Sequence, residues 1–303
     1  MQTFQDLDAL ARMIPDGARV VVPADHAGVP MALTRAIVRR RPRALHLVCL
    51  PTSGLQAELL IGAGCVGTLE TSAVTLGEHG TPHRFLAALR AGAFRMRDAT
   101  CPAIHSALQA AAKGLPFMAM RGLLGTDLLA QREDWRVIDN PFAEGRDPIV
   151  LLPAIRPDFA LFHAPWADRA GNVHIGRRRE LVTMAQASAH TLVTVEEVRD
   201  TDLLASEETA AGALSAAYVS AIAVAPRGAW PLRFWDLYPA DEAHLALYGE
   251  MARTQAGFDD YLGRFGGPES AEARDSREVA GPPQGLLTSE GGERSPARPG
   301  ERP

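Results

Sequence analysis

Residues 162–176, FHAPWADRAGNVHIG, place two histidines, an aspartate and an arginine directly behind an apolar run. A metal site needs ligands that converge, but His163 and His174 are separated by a proline and a Gly-Asn turn. No carboxylate stands at a recognised metal-binding distance in sequence from either histidine. The pattern favours the end of a strand, a tight turn capped by Asp168 and a second short strand. We therefore expect a structural role for His163 and Asp168 and no metal site.

A second candidate stretch, residues 16–37, runs from a turn through an apolar strand into a loop and then a helix. The loop contains Asp25, His26 and Gly28. A loop that precedes a helix N-terminus offers backbone N–H groups and the positive end of the helix dipole to an anion. The loop is thus a candidate binding site. The alternative, which the sequence alone favours, is that Asp25 only caps the following turn.

The segment GAGCVG, residues 62–67, has the spelling of a dinucleotide-binding loop. Such a loop needs a strand before it and a helix after it, so that the pyrophosphate lies at the helix N-terminus. Here the preceding GLQAELLI is typical of a helix and the following TLETSAV of a strand. The order is reversed, and the segment indicates a helix that ends at glycine.

The composition narrows the class of protein. The 303 residues are 47% hydrophobic and 22% charged, with a formal net charge of -5 and a pI near 6.0. No basic surface is therefore expected for nucleic acid or an anionic membrane. Three cysteines, odd in number and far apart, support neither a disulfide framework nor a zinc site. Without a secretion-type leader or a long apolar segment, the expected location is the cytoplasm.

Short apolar runs alternate with amphipathic segments, which is typical of an α/β protein with an open, mostly parallel sheet flanked by helices. The predicted strands are 18–23, 44–50, 158–164, 191–198 and 219–226. The predicted helices begin at Val29, Pro82 and Pro102, and one last helix spans about 241–265. Beyond Gly266 glycine, proline and charged residues dominate. We expect residues 1–265 to form the domain and 266–303 to be a disordered tail.

Several stretches agree, in order and spacing, with one family. They are DGARVVV (16–22), GVPMALTRAIVR (28–39), LIGAGCV (60–66), AAAKGLPFMAMRGLLGTDLL (110–129), LPAIRPDFALFHAPWADRAGNVHI (152–175), TLVTVEEV (191–198) and GFDDYL (257–262). Together they extend over nearly all of residues 10–265, and the chain resembles the A (alpha) subunits of class I CoA-transferases, most of all the glutaconate CoA-transferase type. The resemblance implies the CoA-transferase fold, similar to ribose-phosphate isomerase. It also implies a paired B (beta) subunit, no metal and no cofactor other than the CoA of the substrate.

The resemblance implies that a glutamate attacks an acyl-CoA, becomes a glutamyl-CoA thioester and passes CoA to a second acid. That glutamate resembles a residue of the B subunit, so this chain would form one wall of the site. The substrate implied is a short or dicarboxylic acyl-CoA.

Two stretches depart from the family pattern. Where relatives read Gly-Gly-Phe after the first strand, this chain has Pro23, Ala24 and Asp25. Where relatives carry Glu-Asn-Ser, it has Cys101, Pro102 and Ala103. Some relatives hydrolyse or decarboxylate CoA esters, and the lost carboxylate keeps that alternative open. Cys101 has two interpretations. It is either a small apolar residue that begins a helix or a catalytic thiol whose pKa is lowered by the helix N-terminus. A metabolite-binding module without catalysis is the third hypothesis.

The candidate site residues fall into two groups. We expect Glu78 and Cys101 to face the acyl group as catalytic candidates. We expect the remaining candidates to bind substrate, the last two of them at an anionic group: His26, Gly28, Arg121 and Thr126.

Overall fold

The computed structural model describes residues 3–267. The predicted tail, 266–303, lies outside the described residues apart from its first two positions. In the described part, no helix is long and apolar enough to cross a membrane.

Strands and helices alternate along most of the chain. The strands are β1 Thr3–Phe4, β2 Arg19–Val22, β3 Leu45–Cys49, β4 Val66–Thr71, β5 Arg95–Asp98, β6 Phe117–Met120, β7 Arg136–Asp139, β8 Pro148–Pro153, β9 Phe159–Asp168, β10 Val173–His174, β11 His190–Arg199, β12 Ala213–Leu214 and β13 Ala221–Val224. The helices are α1 Leu7–Arg12, α2 Met31–Arg40, α3 Leu55–Gly62, α4 His83–Arg90, α5 Cys101–Ala112, α6 Leu128–Gln131, α7 Arg179–Ala187, α8 Glu207–Ala210, α9 Glu242–Met251 and α10 Gln255–Phe265.

The main sheet is open and mostly parallel, which confirms the predicted fold class. Its strand order is β1-β13-β11-β9-β2-β3-β4-β5, and β10 adds an antiparallel pair with β9 and with β12. β2 pairs in parallel with β3 on one side and with β9 on the other, so that Val20 stands beside both Leu47 and Phe159. The chain therefore reverses its direction of strand addition between β2 and β9.

Successive side chains of a strand point to opposite faces of the sheet. Here helices cover both faces, so both are buried. Val20 and Val22 belong to one core with α1, α2, α3, α9 and α10, whereas Val21 belongs to a second core with α5 and α7. β9 divides in the same way, with Phe159 and Leu161 in the first core and Phe162 in the second. Near-continuous apolar runs such as RVVV are what this arrangement requires.

A smaller antiparallel sheet, in the order β6-β8-β7, packs against the second core through residues such as Val150 and Leu152. The sequence analysis did not predict its strands. All four residues of β7 are exposed, so β7 lacks the alternation of buried and polar positions by which a strand is recognised.

The five predicted strands and the first three predicted helices are present within a few residues. The GAGCVG segment also folds as expected, because α3 ends at Gly62, Gly64 has φ 73° and β4 follows. The single last helix is wrong: α9 ends at Met251 and α10 begins at Gln255. Thr254 between them accepts a hydrogen bond from Gly257 N at 3.0 Å, which begins a new helix.

The turn after β9 is capped as predicted. The carboxylate of Asp168 accepts hydrogen bonds from Asn172 N at 2.9 Å, Asn172 Nδ2 at 2.8 Å and Leu203 N at 3.1 Å. Asp168 is buried, so it holds β9, β10 and the loop after β11 together.

Candidate active site

A cleft of about 770 Å³ opens at the carboxyl ends of β2, β3 and β4. It lies beside the point between β2 and β9 where strand addition reverses, and such points are where open α/β sheets bind ligands. The cleft is lined by Asp25, His26, Thr52, Thr75, Leu76, Gly77, Glu78, His79, Arg177, Arg178, Glu180, Leu232, Arg233, Trp235, Asp236, Ala240 and Leu245.

Asp25 lies in the loop after β2 and lines the cleft. Its Oδ1 accepts a hydrogen bond from Gly54 N at 3.0 Å, and its own N–H donates to Thr52 O at 3.1 Å. The carboxyl group therefore caps the segment before α3 instead of its own turn. Burial raises the pKa of Asp25 to about 7, although the Gly54 N–H opposes this shift. A carboxyl group with such a pKa can give or take a proton near neutral pH.

His26 and Glu78 both line the cleft. Glu78 lies in the short 3-10 turn Gly77–His79, which follows β4. Both side chains are exposed, so a substrate can reach them. Their assignment to substrate binding and catalysis stays a prediction.

Gly28 is buried behind the cleft wall and does not line it. Its φ is 108°, and a Cβ at this position would collide with the carbonyl oxygen of His163. Only glycine tolerates both constraints. Gly28 therefore lets the loop after β2 pass close to β9, and contact with substrate stays a prediction.

Cys101 is the first residue of α5, at the same carboxyl edge of the sheet but outside the cleft lining. Thr100 caps the helix by accepting a hydrogen bond from Ala103 N at 3.3 Å. The exposed thiol of Cys101 lies 3.3 Å from Ser72 Oγ, at the end of β4. Its catalytic role stays a prediction.

Arg121 and Thr126 lie between β6 and β7, and neither lines the cleft. Arg121 forms a two-pronged ion pair with Asp147, at 3.0 and 2.6 Å. Thr126 Oγ1 donates to Leu123 O at 2.8 Å. Both side chains thus have partners in the segment between β6 and β8, and the structure does not bring them together with His26 and Glu78.

Three arginines that line the cleft, Arg177, Arg178 and Arg233, here called the cationic wall, were not identified by the sequence analysis. Arg177 and Arg178 follow β10, and the guanidinium carbon of Arg178 lies 3.9 Å from the centre of the Trp235 ring. Arg233 also lines this wall. The run of three arginines at 177–179, directly after VHIG, was the signal that could have indicated it.

A hydrogen-bond network links β9, β11 and the segment after β13. His163 Nε2 lies 2.8 Å from Glu196 Oε1, and its Nδ1 lies 2.8 Å from Thr194 Oγ1. Glu196 also accepts hydrogen bonds from Tyr238 Oη at 2.8 Å and from Arg227 N. Burial would raise the pKa of Glu196, but these partners, His163 foremost, lower it overall. His163 is therefore a scaffold residue, as expected.

In residues 3–267, no group of three histidine, cysteine, aspartate or glutamate side chains is arranged to hold a metal ion.

Comparison with known proteins gives consistent matches. A sequence profile described as Coenzyme A transferase matches residues 5–221. The A subunit of 3-oxoadipate CoA-transferase from Pseudomonas knackmussii is 30% identical over 265 residues, which are 85% of this chain and 91% of that protein.

Two solved structures are similar in fold and sequence. Glutaconate coenzyme A-transferase from Acidaminococcus fermentans superposes with a TM-score of 0.79 and 26% identity, over 86% of this chain and 88% of that one. A variant of the decarboxylase AibA/AibB superposes with a TM-score of 0.75 and 28% identity, over 87% of this chain and 99% of that one.

Proposed function

This chain belongs to the coenzyme A transferase family, and from that premise we propose that it is the A subunit of a heteromeric enzyme that moves CoA between an acyl-CoA and a carboxylic acid. The match over residues 5–221 carries the proposal, because it includes the loops that place Asp25, Glu78 and Arg178 around the cleft. The B subunit would close this open cleft and supply the nucleophile.

The proposed reaction proceeds by covalent catalysis. A glutamate that the B subunit supplies attacks the acyl-CoA carbonyl and the C–S bond breaks, so that CoA leaves as a thiolate and the acyl group stays joined to the glutamate as a mixed anhydride. The thiolate then attacks the glutamyl carbonyl, which releases the first acid and forms the glutamyl-CoA thioester. The carboxylate of the second acid then attacks the glutamyl-CoA thioester and releases the CoA thiolate, which attacks the second acid's carbonyl in the new anhydride. This step forms the new acyl-CoA and regenerates the glutamate.

This chain, in the proposed scheme, binds and orients the acyl group. The cationic wall can bind a negatively charged group of the substrate, while Leu76, Leu232 and Leu245 can contact the apolar part of its acyl group. Asp25 can hold a proton near the reacting carbonyl, since burial raises its pKa to about 7. We propose further that the complex works in the cytoplasm and uses no cofactor other than the CoA of its substrate.

Intact-protein mass spectrometry tests the proposal. The complex, purified with its natural partner subunit, would be exposed briefly to a panel of acyl-CoA esters. We expect a CoA-sized mass increase on the partner and none on this chain. The same complex given free CoA is the control and should show no increase. Acyl-CoA that is consumed without any adduct would contradict CoA transfer.

The second candidate is hydrolysis or decarboxylation of a CoA ester. It is favoured by the likeness to the decarboxylase AibA/AibB, whose matched chain is covered almost completely, and by the thiol of Cys101 at the start of α5. Product analysis separates the candidates: decarboxylation releases carbon dioxide and leaves the thioester intact, hydrolysis releases free CoA without an acceptor acid, and transfer requires that acceptor.

A further inference from the structure

The position of Glu78 in the cleft is set by the backbone of a short turn. Glu78 is exposed and lies in the 3-10 turn Gly77–His79, here called the Glu78 turn. Gly77 and Gly80 have φ values of 58° and 103°. In the described part of the chain, nothing lies within 4 Å of a Cβ placed on either glycine. An exposed side chain on such an open turn is placed by whatever holds the turn.

The helix α9 touches the Glu78 turn at a glycine. A Cβ at Gly249 would lie 2.9 Å from the carbonyl oxygen of His79, which is closer than such a carbon can approach without a shift of the backbone. Glycine within a helix is less stable than alanine. The glycine at position 249 is therefore explained by the contact with the turn and not by the needs of the helix.

A second contact joins the same helix to the same residue. Glu242 is the first residue of α9, and its Oε2 lies 3.4 Å from Nε2 of His79. Residues seven apart lie on one face of a helix, so Glu242 and Gly249 both face the turn. Leu245 lies between them and lines the cleft. One face of α9 thus contacts both the imidazole and the carbonyl group of His79, the residue after Glu78.

The start of the segment is held from the other side. Thr75 N donates to Ser53 O at 3.1 Å, and Gly77 N donates to Thr75 Oγ1 at 3.0 Å. Ser53 belongs to the loop after β3. The Glu78 turn is therefore held at its start by that loop and at its end by α9.

We propose that Glu242 and Gly249 are positioning residues, which hold the Glu78 turn so that the Glu78 carboxylate faces the acyl group of the substrate. The proposal rests on the proposed function. It concerns a part of the chain that the family profile does not reach, because α9 begins at Glu242 and the profile matches residues 5–221. A shift of about 1 Å in a reacting group can lower a rate by about 100-fold, so a displaced turn should be visible in kcat.

Gly249→Ala tests the contact with the carbonyl group, in the complex with its partner subunit and with the acyl-CoA ester that the wild-type complex consumes fastest. The added Cβ forces the His79 carbonyl to move, so kcat should fall by about 10-fold while KM stays within about twofold. Gly263→Ala is the matched control, because nothing in the described part of the chain lies within 4 Å of a Cβ there. It should leave both constants unchanged. Wild-type kcat in Gly249→Ala would overturn the proposal.

Glu242 offers a conservative pair of variants. Glu242→Gln keeps an oxygen that can accept a hydrogen bond from His79 Nε2, whereas Glu242→Ala removes it. The side chain is 72% exposed, so we expect only about a threefold fall in kcat for Glu242→Ala and the wild-type value for Glu242→Gln. Glu250→Ala, which removes an exposed partner of Arg253 from the same helix, should not change kcat. Equal kcat in all three variants would overturn the role of Glu242.

A double-mutant cycle shows whether Gly249 acts through Glu78. Glu78→Gln should itself lower kcat by about 10-fold or more. In that background Gly249→Ala should lower kcat by less than about twofold, since the group that it displaces is already gone. An equal loss from Gly249→Ala in both backgrounds, or wild-type kcat in Glu78→Gln, would overturn the proposal.

Hydrogen–deuterium exchange separates this proposal from the proposed function, since it requires no CoA transfer. In the complex, the amides of residues 77–80 should exchange about threefold faster or more in Gly249→Ala, and at the wild-type rate in Gly263→Ala. Unchanged exchange in Gly249→Ala would overturn the proposal whatever the complex catalyses. Faster exchange in a complex without transfer activity would support the positioning of Glu78 and contradict only the proposed function. Faster exchange with wild-type kcat in an active transferase would overturn the positioning and leave the transferase function standing.

Discussion

Asp25 illustrates how burial changes the chemistry of one carboxyl group. Its ordinary pKa of 3.8 is raised to about 7 in the fold. Between these values the unfolded chain loses the proton first, so the contribution of Asp25 to stability is present at low pH and is lost as pH rises through about 7. Above that pH, the folded protein holds a poorly solvated charge.

Asp25→Asn removes that charge while its Oδ1 can still accept from Gly54 N. From about pH 5 to pH 8, the free energy of unfolding of the variant should rise relative to wild type by on the order of 2 kcal/mol. Urea denaturation at several pH values measures this. Asp236→Asn, at a side chain that is 96% exposed, should show no such trend. A constant difference between Asp25→Asn and wild type would mean that Asp25 ionises normally.

The three thiols should differ sharply in reactivity. Burial raises the pKa of Cys49 to about 12 and that of Cys65 to about 11, whereas Cys101 is exposed at the N-terminus of α5. Because the thiolate is the reactive form, Ellman's reagent should titrate one thiol quickly in the native chain and three after denaturation. Cys101→Ser should remove the fast thiol, and Cys49→Ser should keep it. Two fast thiols in the wild type would contradict the burial of the others.

A site residue can be predicted from sequence when its position is set by its sequence neighbours. It cannot when its position depends on residues far away in the chain. His26 lies in the loop directly after β2, so the position of this loop between a strand and a helix places His26 at the carboxyl edge of the sheet. The carboxyl group of Asp25 accepts a hydrogen bond from Gly54, which is 29 positions away, and no local pattern reveals such a partner. Arg178 likewise depends on Trp235 for its position.

The turn between β9 and β10 depends on one buried carboxylate. Asp168→Ala would leave three N–H donors, two from Asn172 and one from Leu203, without their acceptor. Since unsatisfied buried donors are costly, we expect a loss of about 2 to 4 kcal/mol in the free energy of unfolding. Asp200→Ala, at an exposed ion pair with Arg169, should change it by less than about 0.5 kcal/mol. Chemical denaturation compares the two, and lost turnover at unchanged stability would contradict the structural role.

Strands that are buried on both faces are predictable from this sequence, whereas the exposed strands are not. RVVV and its neighbours in the main sheet are apolar runs of strand length between turn signals, and they are strands. β5 reads RMRD and is a strand only because β4 pairs with it. The break between α9 and α10 was missed because apolar residues continue at helical spacing across it, while a single capping threonine divides the helix.

The cleft as a whole is a product of the strand order. Asp25, Glu78, Arg178 and Trp235 all line it although they are far apart in the chain. Their meeting follows from β9 adding beside β2 instead of beside β5. Composition and periodicity predict that strands and helices alternate, but they do not specify which strands are neighbours. The family resemblance implied the fold, and local patterns alone could not give the strand order.

Opposing pKa shifts determine how the stability of the whole molecule responds to pH. Hydrogen bonds and charges outweigh burial and lower the pKa of Glu196 from its ordinary 4.5, so its stabilisation is present above that pH and is lost as pH falls. Glu196→Gln should lower the free energy of unfolding by about 1 to 3 kcal/mol near pH 7, because His163, Tyr238 and the Arg227 N–H lose an ionised acceptor. The difference from wild type should shrink below about pH 4.5. Glu197→Gln, the exposed neighbour, should follow the wild-type profile. A Glu196→Gln deficit that stays constant down to acidic pH would assign the loss to packing instead of to charge.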